Sequence, residues 1–279
     1  MSARLAGLAV HPVKSTRARR VRHAVVEPWG LRDDRRWMLV DGSGECVTAR
    51  EEPRMLAVTA DTVTTDPAVA APLRLRAGDD EVLVGDPGGG SFSVTVHGRS
   101  LTAVAAPEDA SRWWRRHLGR DDVTLVHVSS PRPLDPARSR SGEATAFPDA
   151  YPVTLASLAS LRRLDDWVTE TALERGEEPP GPLAMARFRP NLVVDGDLEP
   201  FEEDGWASAR VGAVTFRVVT PVDRCVLTTR DPETAERGPE PIRTLARHRR
   251  WDGATWFAVQ LVPEVLGDLR LGDAVLAAR

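Results

Sequence analysis

The chain has 279 residues, of which 42% are hydrophobic and 28% are charged, and its formal net charge is −4. This length suits one large domain or two modest ones, and the apolar content is sufficient for a sizeable core. The negative net charge argues against a general nucleic-acid binder, and no apolar run approaches the roughly 18 residues that a transmembrane helix needs.

The start of the chain and its basic residues give two further expectations. Residues 1–8 enter a predicted strand directly, without a long apolar stretch or a cleavage site, which favours a cytoplasmic protein. Of the 37 lysines and arginines only Lys14 is a lysine, and it lies in the string HPVKS (residues 11–15). A compact ammonium suits a place where a guanidinium would not fit, such as a bound phosphate. The alternative is a lysine left over in an arginine-biased chain.

Short strands and tight turns are predicted for residues 1–105. Three hairpins are indicated, with strand pairs at residues 36–40 and 46–50, at 73–76 and 82–84, and at 92–96 and 101–104. Strands at such short and regular spacing favour a barrel or a sandwich.

The first clear helix is predicted to begin after Pro107 and to end at Gly119, with acids in its first turn and arginines later. Trp113, Trp114 and Leu118 form its apolar face, and we assign the two tryptophans to the core. Residues 129–146 are rich in Pro, Ser and Arg without any period, and they are predicted to form a long surface loop or an interdomain connection.

The second half of the chain mixes helices with strands. Leucines and a valine recur at helical spacing from Ser157 onwards, and residues 241–248 suit a short helix, whereas the Pro-rich residues 174–182 are irregular. Strands are predicted at residues 192–194, 211–219, 225–229, 256–262 and 269–276. The acidic turn at residues 201–206 is expected to be solvated, and the alternative is a patch for a substrate or a partner. The fold class is therefore α+β, mainly β, with two β-rich units that are joined near residues 120–145 and contain a helix or two each.

Two cysteines, Cys46 and Cys225, are too few for a disulfide framework in a chain of this size, and the six histidines show no metal-ligand spacing. Arg224 beside Cys225 would favour a thiolate, which is a soft metal ligand and a strong nucleophile. The alternative is that Cys225 is a small buried hydrophobe in a strand. Cys46 has no neighbouring cation in the sequence and is assigned to the core.

A third constellation is the string RFRPN (residues 187–191). In an extended segment Arg187 and Arg189 would point the same way, and paired guanidinium groups beside the amide of Asn191 suit a multiply charged anion. The alternative is a salt-bridged entrance to a strand. Neither a Gly-rich phosphate loop nor a Ser-His-Asp arrangement is visible in the sequence.

Taken together, these strings resemble the MOSC family over almost the whole chain. HPVKS (11–15), GLRDDRRW (30–37) and VTAREEPR (47–54) are similar to its N-terminal β-barrel domain. SLASL (157–161), RFRPN (187–191), FEED (201–204), RCVLTTRDP (224–232) and LGD (271–273) are similar to the MOSC domain. Within the family, the chain most resembles the mitochondrial amidoxime-reducing component and its bacterial relatives. The resemblance implies a β-barrel-like domain over residues 1–122 and a MOSC-type β-barrel domain with a few helices over residues 123–279.

The resemblance implies a molybdenum cofactor, in which a pyranopterin dithiolene and oxo groups supply the metal ligands that the protein lacks. It makes Cys225 the metal ligand and the catalytic residue. By the same resemblance, the pterin and its phosphate are held by Lys14, Ser15, Arg35, Arg189 and Asn191, with Arg224 and Thr228 beside the metal.

The implied activity is the reduction of N-hydroxylated or N-oxide compounds. The electrons would come from a separate protein such as a ferredoxin or a cytochrome b5-type partner. We expect a monomer that binds neither nucleic acid nor membrane, and the family also has an association with pyridoxal phosphate binding.

Several positions depart from the family pattern. Ala150 and Tyr151 stand where relatives tend to have small hydroxyl residues, Asp223 stands where a small residue is more usual, and Trp256-Phe257-Ala258 replaces an expected Phe-Gly. A carboxylate at position 223 could alter the potential or the proton supply of a nearby metal. The two cysteines also leave none for the C-terminal iron–sulfur domain that some bacterial relatives have.

Two other functions stay open from the sequence. The chain could be a carrier, either of sulfur as a Cys225 persulfide or of the cofactor itself, without turnover of its own. It could instead be a metal-free transferase with Cys225 as nucleophile and His248 or His11 as base, although no spacing supports such a pair.

Overall fold

The computed structural model describes residues 3–279, which form mostly short strands with three α-helices. The strands before residue 150 are β1 (Ala3–Val10), β2 (Arg19–Arg20), β3 (His23–Glu27), β4 (Gly30–Leu31), β5 (Trp37–Val40), β6 (Cys46–Val47), β7 (Thr59–Asp61), β8 (Leu73–Ala77), β9 (Asp80–Val84), β10 (Ser91–Val96), β11 (Arg99–Ala105), β12 (Thr124–Val128), β13 (Arg132–Pro133) and β14 (Ala144–Thr145). Those after residue 150 are β15 (Val153–Ser157), β16 (Leu192–Gly196), β17 (Ser208–Val211), β18 (Val214–Asp223), β19 (Arg250–Trp251), β20 (Ala254–Val265), β21 (Gly267–Arg270) and β22 (Ala274–Ala278). The helices are α1 (Glu108–Leu118), α2 (Leu158–Glu174) and α3 (Ile242–His248).

The described residues group into two compact units that interleave along the chain. We call residues 10–21 and 27–152 the N-terminal unit, and residues 3–9, 22–26 and 153–279 the C-terminal unit. Residues 123–152 thus group with the N-terminal unit, whereas the predicted domain boundary lies after residue 122. No helix within residues 3–279 is both long and apolar enough to cross a membrane.

In the N-terminal unit, five antiparallel strands form a sheet in the order β10-β11-β12-β5-β6. A bridge between Glu45 and Thr95 brings the two ends of this sheet together, and the amide of Thr95 donates to the carbonyl of Gly44 at 2.9 Å. A second sheet has the order β7-β8-β9. The pairs β5–β6, β8–β9 and β10–β11 confirm the three predicted hairpins.

Helix α1 confirms the prediction for the segment after Pro107. Gly119 ends it in the left-handed conformation at φ 65°, which glycine adopts without steric cost. Trp113 and Trp114 are 1% and 0% exposed with ring centroids 5.2 Å apart, so their assignment to the core is correct. The loop predicted for residues 129–146 contains the β13–β14 pair. Strands of two residues have no period, which is why the sequence does not reveal them.

The C-terminal unit is a closed barrel of seven strands. Its order is β15-β16-β1-β22-β17-β18-β20, and β20 pairs with β15 to complete the ring. Helix α2 begins where the Ser157 hydroxyl accepts the amide of Ser160 at 3.0 Å. Leu161, Leu164 and Val168 face the core as predicted, and Leu158 packs against it. Helix α3 and the irregular residues after Glu174 also agree with the sequence.

Parts of the predicted strands of this unit are wrong. The single strand predicted for residues 269–276 is two strands, β21 and β22, with a turn between them. Residues 226–229 form a 3₁₀ turn instead of a strand. The hydroxyls of Thr228 and Thr229 donate to the carbonyls of Cys225 and Val226, at 3.0 and 2.7 Å. Such local bonds between side chain and backbone compete with sheet pairing, and here they turn the chain directly after Cys225.

Candidate functional site

Lys14 belongs to a polar cluster of the N-terminal unit. Its Nζ donates to the carbonyl of Phe147 at 2.7 Å and forms an ion pair with Asp149. The same carboxylate accepts from Nη2 of Arg50 at 2.6 Å and lies 3.2 Å from Nε2 of His97. Three nitrogen-bearing side chains therefore meet at one acid, and Lys14 is the buried member of the set.

The charge state of Asp149 follows from these neighbours. Burial raises the pKa of Asp149, but the charge of Lys14, the hydrogen bond from His97 and the charge of Arg50 outweigh it and hold the pKa well below its usual range. Asp149, Arg50 and His97 are absent from the site residues predicted from sequence. The sequence signal for this cluster is Asp149 itself, an acid directly before Ala150 and Tyr151, where the chain departs from the family pattern.

Arg35 and Ser15 occupy left-handed backbone positions in the same unit, at φ 48° and 72°. Nη1 of Arg35 donates to Asp34 at 2.6 Å, and the other oxygen of this buried carboxylate accepts the amide of His11 at 2.8 Å. The amide of Phe147 donates to the carbonyl of Arg35 at 3.3 Å, while its own carbonyl accepts from Lys14. The backbone thus brings Lys14, Ser15 and Arg35 together.

In the C-terminal unit, Cys225 follows the end of β18 and begins the 3₁₀ turn. Its side chain is half-buried, and its carbonyl accepts both the amide and the hydroxyl of Thr228, at 3.1 and 3.0 Å. Thr228 therefore fixes the backbone that presents the thiol. The neighbouring Val226 is 41% exposed.

Arg224 connects the cysteine segment with the RFRPN string. Its amide donates to the carbonyl of Thr255 at 2.7 Å, and its Nη2 donates to the carbonyl of Phe188 at 2.8 Å. The guanidinium carbon also lies 5.5 Å from the centroid of the Phe188 ring. The guanidinium of Arg224 is thereby held against Phe188, and its backbone leads directly into Cys225.

The extended arrangement predicted for Arg187 and Arg189 is wrong. Residues 185–188 form a 3₁₀ turn, and Arg189 follows in the left-handed conformation at φ 51°. The amide of Arg189 donates to the carbonyl of Ala186 at 3.2 Å, which closes the turn. Arg187 forms an ion pair with Asp231 at 2.9 Å instead of acting alongside Arg189.

Asn191 is fully buried and joins three barrel strands. Its side-chain oxygen accepts the amide of Thr154 at 3.2 Å, and its Nδ2 donates to the carbonyl of Ala9 at 3.2 Å. Because both ends of the amide contact backbone, the structure shows Asn191 ordering the start of β16. A direct contact to a cofactor stays a prediction.

The acidic turn at residues 201–206 is not a solvated turn throughout, contrary to the sequence expectation. Glu203 is 1% exposed and accepts from the hydroxyl of Ser160 at 2.8 Å and that of Ser157 at 3.1 Å. Burial raises the pKa of Glu203. The serines that begin α2 therefore enclose a carboxyl group, a contact that spans more than 40 residues of sequence.

The predicted site residues fall into two sets. Lys14, Ser15 and Arg35 belong to the N-terminal unit, and the C-terminal unit contains Arg189, Asn191, Arg224, Cys225 and Thr228.

The chemistry of both sets fits the cofactor that the resemblance implies. Within residues 3–279 no three His, Cys, Asp or Glu side chains are grouped to hold a metal, so Cys225 would be a single soft donor to a metal with further ligands of its own. In the N-terminal unit, Arg132 is 3% exposed, and its Nε and Nη1 have no hydrogen-bond partner among the described residues. Burial lowers the pKa of Arg132 to about 10. A buried cation with unused donors suits an anionic group such as a phosphate.

Comparisons with known proteins identify the family of this chain. Two family models match the chain, the MOSC N-terminal beta barrel domain over residues 2–121 and the MOSC domain over residues 143–276. Mitochondrial amidoxime-reducing component 1 of Xenopus laevis is 31% identical over 291 residues, which cover 96% of this chain and 80% of the relative. Human mitochondrial amidoxime reducing component 2 is 30% identical over 295 residues, covering 97% and 82%.

Among solved structures, the YuaD protein of Bacillus subtilis covers 99% of this chain and 94% of its own, at 11% identity and a TM-score of 0.40. The family therefore rests on the sequence matches. They confirm the resemblance and, with the closed barrel, the mainly β fold class predicted from sequence. The descriptions of the families and relatives make no mention of pyridoxal phosphate, so that expectation has no support. The chain therefore belongs to the MOSC family that includes the mitochondrial amidoxime-reducing components.

Proposed function

We propose that this protein is a molybdenum-cofactor reductase of N-hydroxylated and N-oxide compounds. The observation that carries the proposal is Cys225, a half-buried thiol that a 3₁₀ turn presents at the end of a barrel strand. The names of the relatives, amidoxime-reducing components, supply the class of substrate.

The bound cofactor would supply the two-electron chemistry, and the protein would supply ligation, orientation and access. Cys225 would ligate the metal through its thiolate. Thr228 holds the backbone of this residue, and Arg224, anchored on the carbonyl of Phe188, keeps a positive charge beside it. Because Arg224 is held by backbone contacts at both ends, its charge is preorganised.

The anionic part of the cofactor would be bound by the remaining predicted residues. Lys14 and Arg35 are cations held by Asp149 and Asp34, and the left-handed backbone at Ser15 and Arg35 orients the segments that contain them. Arg189 would contribute a guanidinium, and Asn191 would order the backbone after it.

The reaction balances with two electrons and two protons. An amidoxime, R–C(NH2)=N–OH, would take up two electrons and two protons, the N–O bond would break, and an amidine and water would form. The electrons would come from a separate redox protein, of ferredoxin or cytochrome b5 type.

Metal analysis of the purified protein tests the proposal. Protein from a molybdenum-replete host should contain about one molybdenum per chain and should reduce an amidoxime with a chemical electron donor. Cys225→Ala should lose both the metal and the activity, whereas Cys46→Ala should keep them. A Cys225→Ala variant with full activity would refute the proposed ligand.

The same preparation separates the carrier alternative. Mass spectrometry that finds an added sulfur on Cys225, together with no bound pterin and no turnover, would favour a carrier over a reductase. We further propose the cytoplasmic location and monomeric state expected from the sequence, which fractionation of the native host and light scattering of the purified protein would test.

A further inference from the structure

Trp251 is unusual among the tryptophans of this chain. All eight lie within the described residues, and Trp251 is the one whose ring is exposed, at 40%. Its partner Trp256 is half-buried, with a ring centroid 5.9 Å away and an interplanar angle of 34°. An exposed pair of indoles costs hydrophobic free energy, and such surfaces commonly serve recognition.

Sheet register places this pair next to the cysteine segment of the same unit. Trp256 on β20 lies opposite Asp223, the last residue of β18, and Cys225 is two residues further along the chain. Directly opposed residues of an antiparallel pair project from the same face of the sheet. Trp256 and Asp223 therefore share a face beside the proposed metal ligand.

A β-bulge adjoins Trp256. The pairing shifts between Pro221 and Asp223, so that Phe257 and Ala258 together oppose one residue of β18. Ala258 adopts φ 70°, the left-handed conformation that favours glycine, at the position where the family pattern has Phe-Gly. Bulges bend a strand and redirect side chains, and they are frequent beside active sites.

Arg249 holds the hairpin of the two tryptophans in place. It forms an ion pair with Asp204, its Nε lies 3.5 Å from the carbonyl of Trp256, and its guanidinium carbon is 4.7 Å from the centroid of a Trp251 ring. Nε1 of Trp256 donates to the carbonyl of Trp251 at 3.0 Å. The orientation of the indoles is thus fixed before a ligand arrives.

Asp223 adds a hydrogen-bond acceptor to this surface. One carboxylate oxygen accepts the amide of Thr255 at 3.1 Å, and the side chain is exposed. Val226, also exposed, lies on the other side of Cys225 in the chain. The segment around the thiol thus combines aromatic, apolar and anionic groups.

We propose that Trp251, Trp256 and Asp223 form the recognition site for substrate, and that it selects aryl compounds whose N-hydroxylated group also has N–H donors. The aromatic ring would stack on the indoles, and the NH2 group of an amidoxime or N-hydroxyguanidine would donate to Asp223. N-oxides, which lack these donors, would bind through the ring alone. The inference rests on the proposed function, because it assigns this surface to the substrate of that reaction.

Equilibrium binding to the oxidised holoenzyme tests the inference by calorimetry with three probes: benzamidoxime, acetamidoxime and pyridine N-oxide. Asp223→Asn should weaken benzamidoxime about ten-fold, because the acceptor of the hydrogen bond loses its charge, and should leave the N-oxide unchanged. Trp251→Ala should weaken both aromatic probes to a similar degree and leave acetamidoxime unchanged.

Two control variants lie away from this surface: Val265 is at the other end of β20, about 30 Å from Trp256 at the usual rise per residue, and Asp268 follows in β21. Val265→Ala and Asp268→Asn replace exposed side chains there, at 49% and 62% exposure, and should not change any affinity. Circular dichroism and metal content should match the wild type in all four variants, and Trp251→Phe serves as a milder substitute if Trp251→Ala fails to fold.

The outcomes distinguish this inference from the proposed function. If wild-type protein reduces benzamidoxime but the Asp223 and Trp251 variants bind it as tightly as the wild type, the recognition site is overturned and the reductase stands. If wild-type protein binds the probes with the expected pattern but reduces none of them, the recognition site stands and the reductase fails.

Discussion

Lys14 and Asp149 form an ion pair inside the N-terminal unit although 135 positions separate them in the chain. The lysine side chain is 6% exposed and the aspartate 43%. Nζ donates in addition to the carbonyl of Phe147 at 2.7 Å, while Arg50 reaches the same carboxylate from the exposed side. The single lysine of the chain therefore occupies a small space with two acceptors, where a rotatable ammonium fits and a planar guanidinium would not.

Lys14→Arg should be a disruptive substitution despite the conserved charge. The larger, planar group cannot reach both acceptors without shifting the backbone, and we expect a loss of about 1–3 kcal/mol in the free energy of unfolding. Urea denaturation measures this loss, and fluorescence of the oxidised pterin measures cofactor content, which should fall as well. The reverse change at an exposed position, Arg162→Lys at 59% exposure, should stay within about 0.5 kcal/mol. Equal stability and equal pterin content in Lys14→Arg would contradict this account of the lysine.

Asp149→Asn should lower the free energy of unfolding at neutral pH, because Lys14 and Arg50 lose the negative charge that they face. The loss should be only about 1–2 kcal/mol, since the carboxylate is partly exposed and solvent screens its charge. The folded pKa of Asp149 lies below its unfolded value, so its contribution is present above about pH 4 and is lost as the pH falls further. Urea midpoints between pH 3 and pH 7 should therefore converge for wild type and variant at the acidic end. Asp79→Asn, at an exposed turn, provides the control. A difference that is constant over this range would exclude the ion pair as its source.

Much of the fold follows from local patterns in the sequence. The hairpins depend on turn residues and on alternation, and α1 and α2 depend on capping groups and helical spacing, so each can be recognised within about 20 residues. The closure of the C-terminal barrel depends on β1 pairing with β16 and β22, which no local pattern specifies. The predicted site residues came from a resemblance, and the structure adds the partners that hold them.

Two of the errors concern polar side chains that bond within the protein. Cys225–Thr229 has the composition of a strand, yet two threonine hydroxyls bond the backbone and form a turn. Glu203 lies in an acidic segment that is typical of a solvated turn, yet two serines from a distant helix terminus enclose its side chain. In the first case local bonds between side chain and backbone override the strand pattern, and in the second a contact from more than 40 residues away does.

Glu203→Gln should become increasingly favourable as the pH rises. Burial raises the pKa of Glu203 in the folded protein, so its contribution to stability is complete below the unfolded value of about 4.3 and is lost as the pH rises towards the folded pKa. A glutamine keeps an acceptor for Ser160 without this ionisation. We therefore expect the free energy of unfolding of Glu203→Gln, relative to wild type, to increase between pH 4 and pH 8, whereas the exposed Glu178→Gln should show no such trend. A relative stability that falls over this range would show that the buried carboxyl is ionised and required as a charge.

Cys46 should resist alkylation in the folded protein, which would leave Cys225 as the thiol that reacts. Burial raises the pKa of Cys46 to about 11, so that at pH 8 about one molecule in a thousand presents the thiolate. The charge of Lys14 is the largest effect that lowers this pKa, and burial outweighs it. Mass spectrometry of the Cys225→Ala variant after iodoacetamide treatment should therefore show almost no label, and the same sample in urea should label fully at Cys46. Rapid labelling of folded Cys225→Ala would contradict the packing of Cys46 against the apolar cluster that includes Met38 and Phe147.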